Sequence, residues 1–225
     1  MRQVSKRMTH TVEDYLKAIY GLEGGRRGEL VGLGKVAERL GVTAGTVTTM
    51  MRQLKGKGLI GYEPRRGVYL TGEGRVEALR VIRRHRMVEL FLVDIMEVDW
   101  AHVHEEAEAL EHAISDRLLE RMDQMLDHPT HDPHGDPIPD ASGGVSEERG
   151  RALIHCKAGR YRVVRVLNDA SSFLNWLEAH GLQPGREFTL KSRDDHAGTL
   201  DLQIGDRSLT IGGQAAGHLE VASPV

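Results

Sequence analysis

The sequence has one cysteine, few aromatic residues and no long apolar run, and each shortage excludes a class of protein. The lone thiol, Cys156, cannot form an internal disulfide or a cysteine-based zinc site, and we expect an ordinary half-buried side chain there. No stretch of about 18 apolar residues occurs, and the first residues lack the apolar centre of a signal peptide. We therefore expect a globular cytoplasmic protein. Its 225 residues, 40% of them apolar, suffice for two or three domains.

Charge is distributed unevenly along the chain, although the formal net charge is only −3. Residues 1–70 carry 13 Lys/Arg against 6 Asp/Glu, whereas residues 71–148 carry 7 against 19. Residues 149–225 are nearly balanced, with 10 against 8. A basic first third suits a polyanionic partner, and a strongly acidic middle suits a cation.

The first third predicts a helix-turn-helix followed by a β-hairpin. A first helix is expected after the capping candidates Thr9 and Thr11, because the apolar residues of "TVEDYLKAIYGL" share one face. The next expected elements are helices over 33–40 and 44–57, a turn at 41–43, and strands over 59–63 and 68–71. This order is typical of a winged helix-turn-helix DNA-binding domain, which we assign to residues 1–72.

The second helix of the motif carries small polar residues, as entry into the major groove requires. Cations beside it and at the hairpin tip are suited to backbone phosphates. The predicted DNA-binding residues are Thr43, Ala44, Thr46, Thr48, Thr49, Arg52, Lys55, Lys57, Arg65 and Arg66, while Val47, Met50, Met51 and Leu54 are expected to pack inward. The alternative is a winged helix that contacts only protein, but the local excess of positive charge favours DNA.

The acidic middle region predicts further helices. Thr71 can cap a long one whose apolar positions keep helical spacing: Val76, Leu79, Ile82, Val88, Leu92 and Ile95. A later helix, in "DWAHVHEEAEALEHAISDRL", carries two neighbouring stripes, one of Val103, Ala107, Leu110 and Ile114 and one of His104, Glu108, Glu111 and His112. Helices with apolar stripes but no core of their own indicate a dimerisation domain, assigned to residues 73–136. For the titratable stripe alone, the alternative is a solvated charged face.

The remaining chain changes character at "HPTHDPHGDPIPDASGGVSEERG", which holds four of the seven prolines and no helical pattern. It predicts a linker or an ordered irregular loop, with the linker placed at residues 137–149. From Gly150 on, short alternating runs such as "YRVVRVL" and "TLDLQI" are separated by turns, with one helix in "SSFLNWLEAHG". This pattern predicts a small β-barrel with one helix over residues 150–225.

Possible metal ligands gather in the middle of the sequence. His85 and Glu89 are an i, i+4 pair on one helix face, and the irregular loop adds His128, His131, Asp132 and His134. Seven of the twelve histidines lie between residues 85 and 134. Imidazole and carboxylate without thiolate or thioether favour Mn²⁺, Fe²⁺ or Zn²⁺ over softer ions.

The order of these segments resembles the diphtheria toxin repressor family of metal-dependent bacterial transcription regulators. The resemblance joins "VEDYLKAIY", "AERLGVTAGTVTTMMRQLKGKGL", "RRHRMVELFLVDIMEVDWAHVHEEAEALEHAISD" and "PHGDPIP", and it covers nearly the whole chain. It implies a mostly helical protein with a small β component: a winged helix-turn-helix, a helical dimerisation domain, and a C-terminal SH3-like (FeoA-like) barrel.

The resemblance also implies two metal sites. The family's primary site falls on Asp14, Glu108, Glu111 and His112. A second site falls on His85, Glu89 and His104, with the loop pair Asp132 and His134 and, from the C-terminal domain, Asp169. In the three-domain manganese members the loop motif is C-P-H-G, so Asp132 stands where those members have cysteine.

Two positions indicate the manganese branch of the family. Iron-responsive members have methionine and cysteine where this chain has Asp14 and Glu108, and hard oxygen donors suit Mn²⁺. Two-domain manganese members build a binuclear site with a glutamate that is replaced here by Lys17, so such a paired centre is not expected. We expect a Mn²⁺-activated, or Fe²⁺-activated, homodimeric repressor of metal-homeostasis genes that binds palindromic operator DNA. Zn²⁺, Co²⁺, Cd²⁺ and Ni²⁺ are expected to act as surrogates in vitro.

Two other functions are compatible with parts of the pattern. A winged-helix regulator that senses a small organic molecule would bind DNA regardless of chelators. A helical-bundle metalloenzyme would use the same carboxylates and histidines for hydrolysis or oxygen chemistry, but the sequence has no second Glu-x-x-His unit and no Gly-rich catalytic loop. We therefore expect no enzymatic activity.

Overall fold

The computed structural model describes residues 8–24, 26–145 and 150–224. It divides into two compact units, one of Met1–Arg84 with Pro139–Gly144 and one of His85–Ile138 with Val145–Val225. The division falls inside one long helix, so the predicted domain boundaries, including 73–136, stay a prediction. No helix among the described residues is long and apolar enough to cross a membrane.

The first unit has the predicted helix-turn-helix and hairpin. Its elements are α1 (His10–Leu22), α2 (Leu33–Leu40), α3 (Ala44–Gly56), β1 (Ile60–Glu63) and β2 (Gly67–Leu70). Gly41 ends α2 in the left-handed conformation (φ 62°), which turns the chain toward α3. Gly67 has φ 146°, and a Cβ atom there would come within 2.5 Å of the Val31 carbonyl oxygen, so only glycine fits this corner of the hairpin.

Apolar side chains on these elements form one core. Those buried in it include Val12, Leu16, Ile19, Val36, Val47, Met51, Leu54, Leu59 and Val68. Three of the four residues predicted to face inward from α3 are buried, and the fourth, Met50, packs partly buried against the same core. The opposite side of α3 is thereby left to solvent.

The long helix α4 (Gly72–Asp94) begins as predicted, because the Thr71 hydroxyl accepts a hydrogen bond from the Gly74 N–H at 3.1 Å. Two of its expected apolar positions are wrong: Val76 is 41% exposed and Ile95 is 46% exposed. Ile95 lies beyond the last helical residue, and Val76 lies in the first turns on a side that the core does not cover. Leu79, Ile82, Val88 and Leu92 are buried as predicted.

The histidine-rich helix is shorter than predicted. It forms α5 (Val103–Leu110), and the segment "DRLLERMDQMLD", expected to extend or succeed it, succeeds it as α6 (Asp116–Met125), which the Ser115 hydroxyl starts by accepting the Leu118 N–H at 3.2 Å. The predicted apolar stripe therefore does not continue as a helix beyond Leu110, and Leu110 itself is 37% exposed. The expectation that these helices lack a core is also wrong, since they share a buried cluster of Met87, Val88, Leu92, Val103, Ala107, Ile114, Met122 and Ile138.

The C-terminal region is an antiparallel six-stranded sheet with short helices. In chain order it contains β3 (Arg151–Ala152), a 3₁₀ turn (Leu153–His155), β4 (Gly159–Val166), α7 (Ser171–His180), β5 (Glu187–Asp194), β6 (Thr199–Ile204), β7 (Arg207–Gly212), α8 (Gly213–Gly217) and β8 (Leu219–Ala222). The strand order is β3-β8-β4-β5-β6-β7. The four longest strands and α7 follow the predicted pattern, whereas the pattern predicted none of β3, α8 and β8.

The proline-rich segment is an ordered loop over its described part. Asp132 Oδ1 accepts hydrogen bonds from the N–H groups of His134 and Asp136, both at 2.9 Å. The Ile138 N–H donates to the Thr130 carbonyl oxygen at 2.8 Å and closes the loop. Of the predicted linker at 137–149, residues 146–149 lie outside the described residues.

Candidate metal centre and DNA-binding surface

In the second unit, His85 is the hub of a connected set of imidazoles and carboxylates. Its Nδ1 lies 2.6 Å from Glu111 Oε2, and its Nε2 lies 2.9 Å from Glu89 Oε1 and 3.1 Å from His104 Nδ1. Glu89 Oε1 is also 3.1 Å from His104 Nδ1, and His104 Nε2 is 3.6 Å from Glu108 Oε1. His85 and Glu89 share a face of α4 because they are one helical turn apart.

Most of these groups are buried. Glu111 is fully buried, Glu89 is 3% exposed and His85 is 6% exposed, whereas the Glu108 side chain is 43% exposed. Burial raises the pKa of the Glu89 carboxyl, but hydrogen bonds from His104 and His85 and the charge of His85 outweigh burial. The net result holds the pKa of Glu89 well below its ordinary value.

The loop brings a second group of donors to Glu89. Glu89, Asp132 and His134 are all buried, and each offers one ligand atom within 4.8 Å of the others. Burial, followed by the charges of Asp136 and Glu89, raises the pKa of the Asp132 carboxyl well above its ordinary value, although Arg86 opposes the shift. Buried carboxylates that repel each other are stabilised when a cation enters between them.

The residues predicted for the second site come together in two neighbouring groups, one of which also contains Glu108. His85 and His104 gather with Glu108, which was assigned to the primary site, while Glu89 gathers with Asp132 and His134. Asp169 is exposed, in the segment between β4 and α7, and among the described residues neither of these two groups includes it. The ligand role of Asp169 stays a prediction.

The predicted primary ligands belong to different units. Asp14 lies half-buried on α1 of the first unit. Glu111 and His112 follow the last turn of α5 in the second unit, with His112 Nε2 3.4 Å from Glu111 Oε1. The assignment of this site to Asp14, Glu108, Glu111 and His112 stays a prediction.

Sequence reasoning missed a buried ion pair beside Asp14. Arg84 Nη2 donates to Glu13 Oε1 at 2.7 Å, and both side chains are about a tenth exposed or less. The pair fixes α1 against the first half of α4 within the first unit. One feature of the sequence could have indicated the pair: Glu13 stands among the apolar residues of α1 that face the core.

The predicted recognition surface lies on α3. Thr43, Ala44, Thr46, Thr49 and Arg52 are exposed, and Thr48 is half-buried. Thr43 has a structural task, because its hydroxyl oxygen accepts the Thr46 N–H at 3.2 Å and caps the helix. Thr48 and Thr49 donate to the carbonyl oxygens one turn back, at 2.9 and 3.1 Å.

The cations of the hairpin are exposed at its tip. Arg65 has a left-handed backbone conformation (φ 69°) and Arg66 pairs with Glu63. Lys55, at the end of α3, donates to the Tyr62 carbonyl oxygen of β1 at 3.3 Å. The described surface of the first unit therefore presents an exposed helix flanked by a basic hairpin, the arrangement that predicts DNA binding.

The donor sets fit a hard or borderline divalent cation. Every donor in the two groups of the second unit is an imidazole nitrogen or a carboxylate oxygen. The single cysteine, Cys156, lies buried in the C-terminal core, where burial raises the pKa of its thiol. It therefore supplies no thiolate to either group.

Comparisons with known proteins identify all three regions. Residues 7–68 match the N-terminal DNA-binding domain of iron-dependent repressors, residues 71–140 match their metal-binding and dimerisation domain, and residues 153–223 match the FeoA domain. The diphtheria toxin repressor of Corynebacterium efficiens is 34% identical over 193 residues, which are 81% of this chain and 83% of that protein. The chain belongs to the diphtheria toxin repressor family.

Solved structures agree with membership of the diphtheria toxin repressor family. A manganese-dependent transcriptional repressor in complex with manganese superposes with a TM-score of 0.84 at 36% identity, covering 95% of this chain and all of that one. ScaR with bound Zn²⁺ superposes with a TM-score of 0.78 at 32% identity, covering 95% of this chain and 99% of that one. The predicted fold class is confirmed. Since the family consists of metal-dependent transcriptional repressors, the metalloenzyme alternative is set aside.

Proposed function

We propose that this protein is a Mn²⁺-activated homodimeric repressor that binds palindromic operator DNA at metal-homeostasis genes in the cytoplasm. One observation carries the choice of a divalent metal ion without sulfur ligands as activator: the two donor groups of the second unit contain only imidazole nitrogens and carboxylate oxygens. Such donors hold Mn²⁺ and Fe²⁺ well and give no preference to the softer ions that sulfur selects. The structural relatives with bound Mn²⁺, Zn²⁺ and Cd²⁺ support a divalent cation.

The proposed switch connects the two functional domains. Asp14 lies in the sequence of the DNA-binding domain, and Glu108, Glu111 and His112 lie in that of the metal-binding and dimerisation domain. A cation bound by all four would couple the domains. Two recognition helices of a dimer must lie roughly 34 Å apart to enter successive major grooves. Without the cation, repulsion among the carboxylates disfavours the arrangement that the cation stabilises.

The protein's own residues supply the remaining steps. The exposed face of α3 enters the groove, and Arg65 and Arg66 neutralise phosphates. Glu89, Asp132 and His134 hold a second cation. Because binding is linked, the cation strengthens DNA binding by the same factor by which DNA strengthens cation binding.

Fluorescence anisotropy of chelator-stripped protein on labelled DNA from upstream of its own gene tests the proposal. Mn²⁺, anaerobic Fe²⁺ and Zn²⁺ are titrated separately at one fixed salt concentration. Saturable binding only with metal, at the lowest free concentration for Mn²⁺, is the expected result. Equal binding in excess chelator would show that the cation is not the switch and would favour a small organic effector.

The matched variant is Asp14→Ala, which removes one proposed ligand. It is expected to need a higher Mn²⁺ concentration for the same DNA binding, while its DNA-free dimer and its helical content remain. Asp14→Ala that binds operator as tightly as the unsubstituted protein at limiting Mn²⁺ would contradict the coupling role of that residue.

A further inference from the structure

The loop that carries Asp132 and His134 rests on strand β4 of the C-terminal sheet. The Val166 N–H donates to the His134 carbonyl oxygen at 2.9 Å. Gly135 has φ 85°, and a Cβ atom there would lie 2.0 Å from the Val164 carbonyl oxygen. The loop backbone therefore lies directly on β4, closer than any residue other than glycine allows.

An irregularity in β4 creates this contact. The register of β4 against β8 shifts between Val163 and Arg165, so Val164 is the extra residue of a β-bulge. Bulges turn a strand locally and re-aim its side chains. In this protein the bulge directs the Val164 carbonyl to Gly135, and the next residue, Arg165, pairs with Asp136 of the loop.

Asp136 is held from two sides. Arg165 Nη2 of β4 donates to Asp136 Oδ1, and Arg86 Nη2 of α4 donates to the same oxygen at 2.9 Å. Arg86 Nη1 donates to the Pro137 carbonyl oxygen as well. The Asp136 N–H in turn donates at 2.9 Å to Oδ1 of Asp132, whose carboxylate is one of the candidate ligands. A chain of contacts thus runs from the C-terminal sheet through Asp136 to the candidate ligand Asp132.

We infer that Arg165 is a positioning residue for the second cation group and acts through Asp136 on Asp132 and His134. The C-terminal sheet then contributes to cation binding through the bulge and Arg165, a contribution that does not depend on the predicted ligand role of Asp169. The inference rests on the proposed function, because it requires Glu89, Asp132 and His134 to hold a cation. Groups that orient metal ligands from outside typically change affinity by about 10-fold to 100-fold.

Arg165→Gln tests the inference, because the positioning role and simple charge repulsion predict opposite changes in Mn²⁺ affinity. Removal of a positive charge near a cation site strengthens Mn²⁺ binding if Coulomb repulsion alone matters. Loss of the Arg165–Asp136 contact loosens the loop, so the positioning role predicts Mn²⁺ binding weakened by about tenfold. Arg165→Lys keeps the charge and one donor and is expected to recover part of the affinity.

The measurement is Mn²⁺ binding by calorimetry and by the electron paramagnetic resonance of free Mn²⁺. It uses full-length protein carrying Asp14→Ala and His112→Ala, which disable the proposed primary set. The control is Arg160→Gln, because Arg160 lies on the same strand and pairs with Glu187 at 3.0 Å on the exposed surface. Its Mn²⁺ affinity is expected to equal that of the background protein. Circular dichroism establishes that each variant is folded.

Gly135→Ala provides a second variant that leaves all charges in place. It pushes the loop away from the Val164 carbonyl and is expected to weaken Mn²⁺ binding as Arg165→Gln does. Unchanged or tighter binding in folded Arg165→Gln would overturn the inference and leave the proposed function standing. Absence of Mn²⁺ binding in the background protein would overturn the second group itself. The anisotropy titration of the unsubstituted protein reports separately on the proposed function.

Discussion

The Nε2 atom of His134 lies 3.0 Å from the main-chain carbonyl oxygen of Trp100, and the two rings are stacked with their centroids 5.5 Å apart. Because a carbonyl oxygen only accepts hydrogen bonds, this contact places the imidazole proton on Nε2. Nδ1 is then the nitrogen with a lone pair for a cation. Metal-ligating histidines commonly donate their other N–H to a carbonyl in this way.

This stacking makes Trp100 an optical probe of the loop. The chain has two tryptophans, so Trp176→Phe leaves Trp100 as the single source of indole emission. Addition of Mn²⁺ is expected to change that emission, because the cation binds the ring stacked on the indole. His134→Ala in the same background should abolish the change, and Trp176 emission in a Trp100→Phe variant should stay constant. A Trp100 response that persists without His134 would contradict the assignment.

The buried Glu13–Arg84 pair is expected to matter for stability whether or not metal is bound. Glu13→Ala leaves the Arg84 guanidinium buried without its carboxylate and should lower the free energy of unfolding by about 3 kcal/mol. Urea denaturation in chelator measures this. Glu29→Ala is the control, because Glu29 pairs with Arg26 at the exposed surface at 3.3 Å and should change stability by less than about 1 kcal/mol. Similar effects from both substitutions would refute the structural role.

The hairpin tip is expected to bind phosphates and not bases. Arg65→Ala should weaken binding to operator and to unrelated DNA by similar factors, and should reduce the slope of log affinity against log salt by about one. Arg26→Ala, which removes an exposed cation outside the helix-turn-helix and hairpin, should leave that slope unchanged. A loss confined to operator DNA would show that Arg65 contacts base edges.

Glu23 is expected to make the stability of the first unit fall as pH rises. Its side chain is buried, with Oε1 accepting the Leu70 N–H at 2.8 Å and Oε2 pairing with Arg75 at 3.1 Å. Burial raises the pKa of Glu23 despite both contacts. A carboxyl whose pKa is raised in the folded state favours folding below its unfolded pKa, near 4.5, and that contribution is lost as pH rises through the folded value.

Glu23→Gln isolates this contribution, because glutamine does not titrate. The stability of the unsubstituted protein relative to Glu23→Gln is expected to fall as pH rises from about 4 through the raised pKa. Denaturant unfolding of both proteins over this range measures the difference. A difference that grows with pH would mean that the ion pair with Arg75 outweighs burial.

Local patterns in the sequence predicted the helices and the chemistry of the donors. The spacing of Val47, Met51 and Leu54 predicted which face of α3 is buried, and the four-residue spacing of His85 and Glu89 predicted that they share a face. The family resemblance added the order of domains. These features depend on residues that are close in the sequence.

Contacts between distant residues could not be predicted in the same way. Arg84 and Glu13 are 71 residues apart, and Arg165 and Asp136 are 29 apart. Their pairing depends on tertiary packing, which helical or strand periodicity does not predict. The association of Glu108 with His85 also depends on how α5 packs against α4, which helical spacing does not give.

The carboxylate at position 132 determines which chemical changes can alter the loop. A thiolate at this place would be open to sulfenic acid and disulfide formation, and its oxidation would remove a donor. Asp132 undergoes neither reaction, and the one thiol of the chain is sequestered among apolar side chains in the C-terminal core. Under the proposed ligand assignment, neither group contains a thiolate ligand that such oxidants could remove, so cation binding does not require any thiol to stay reduced.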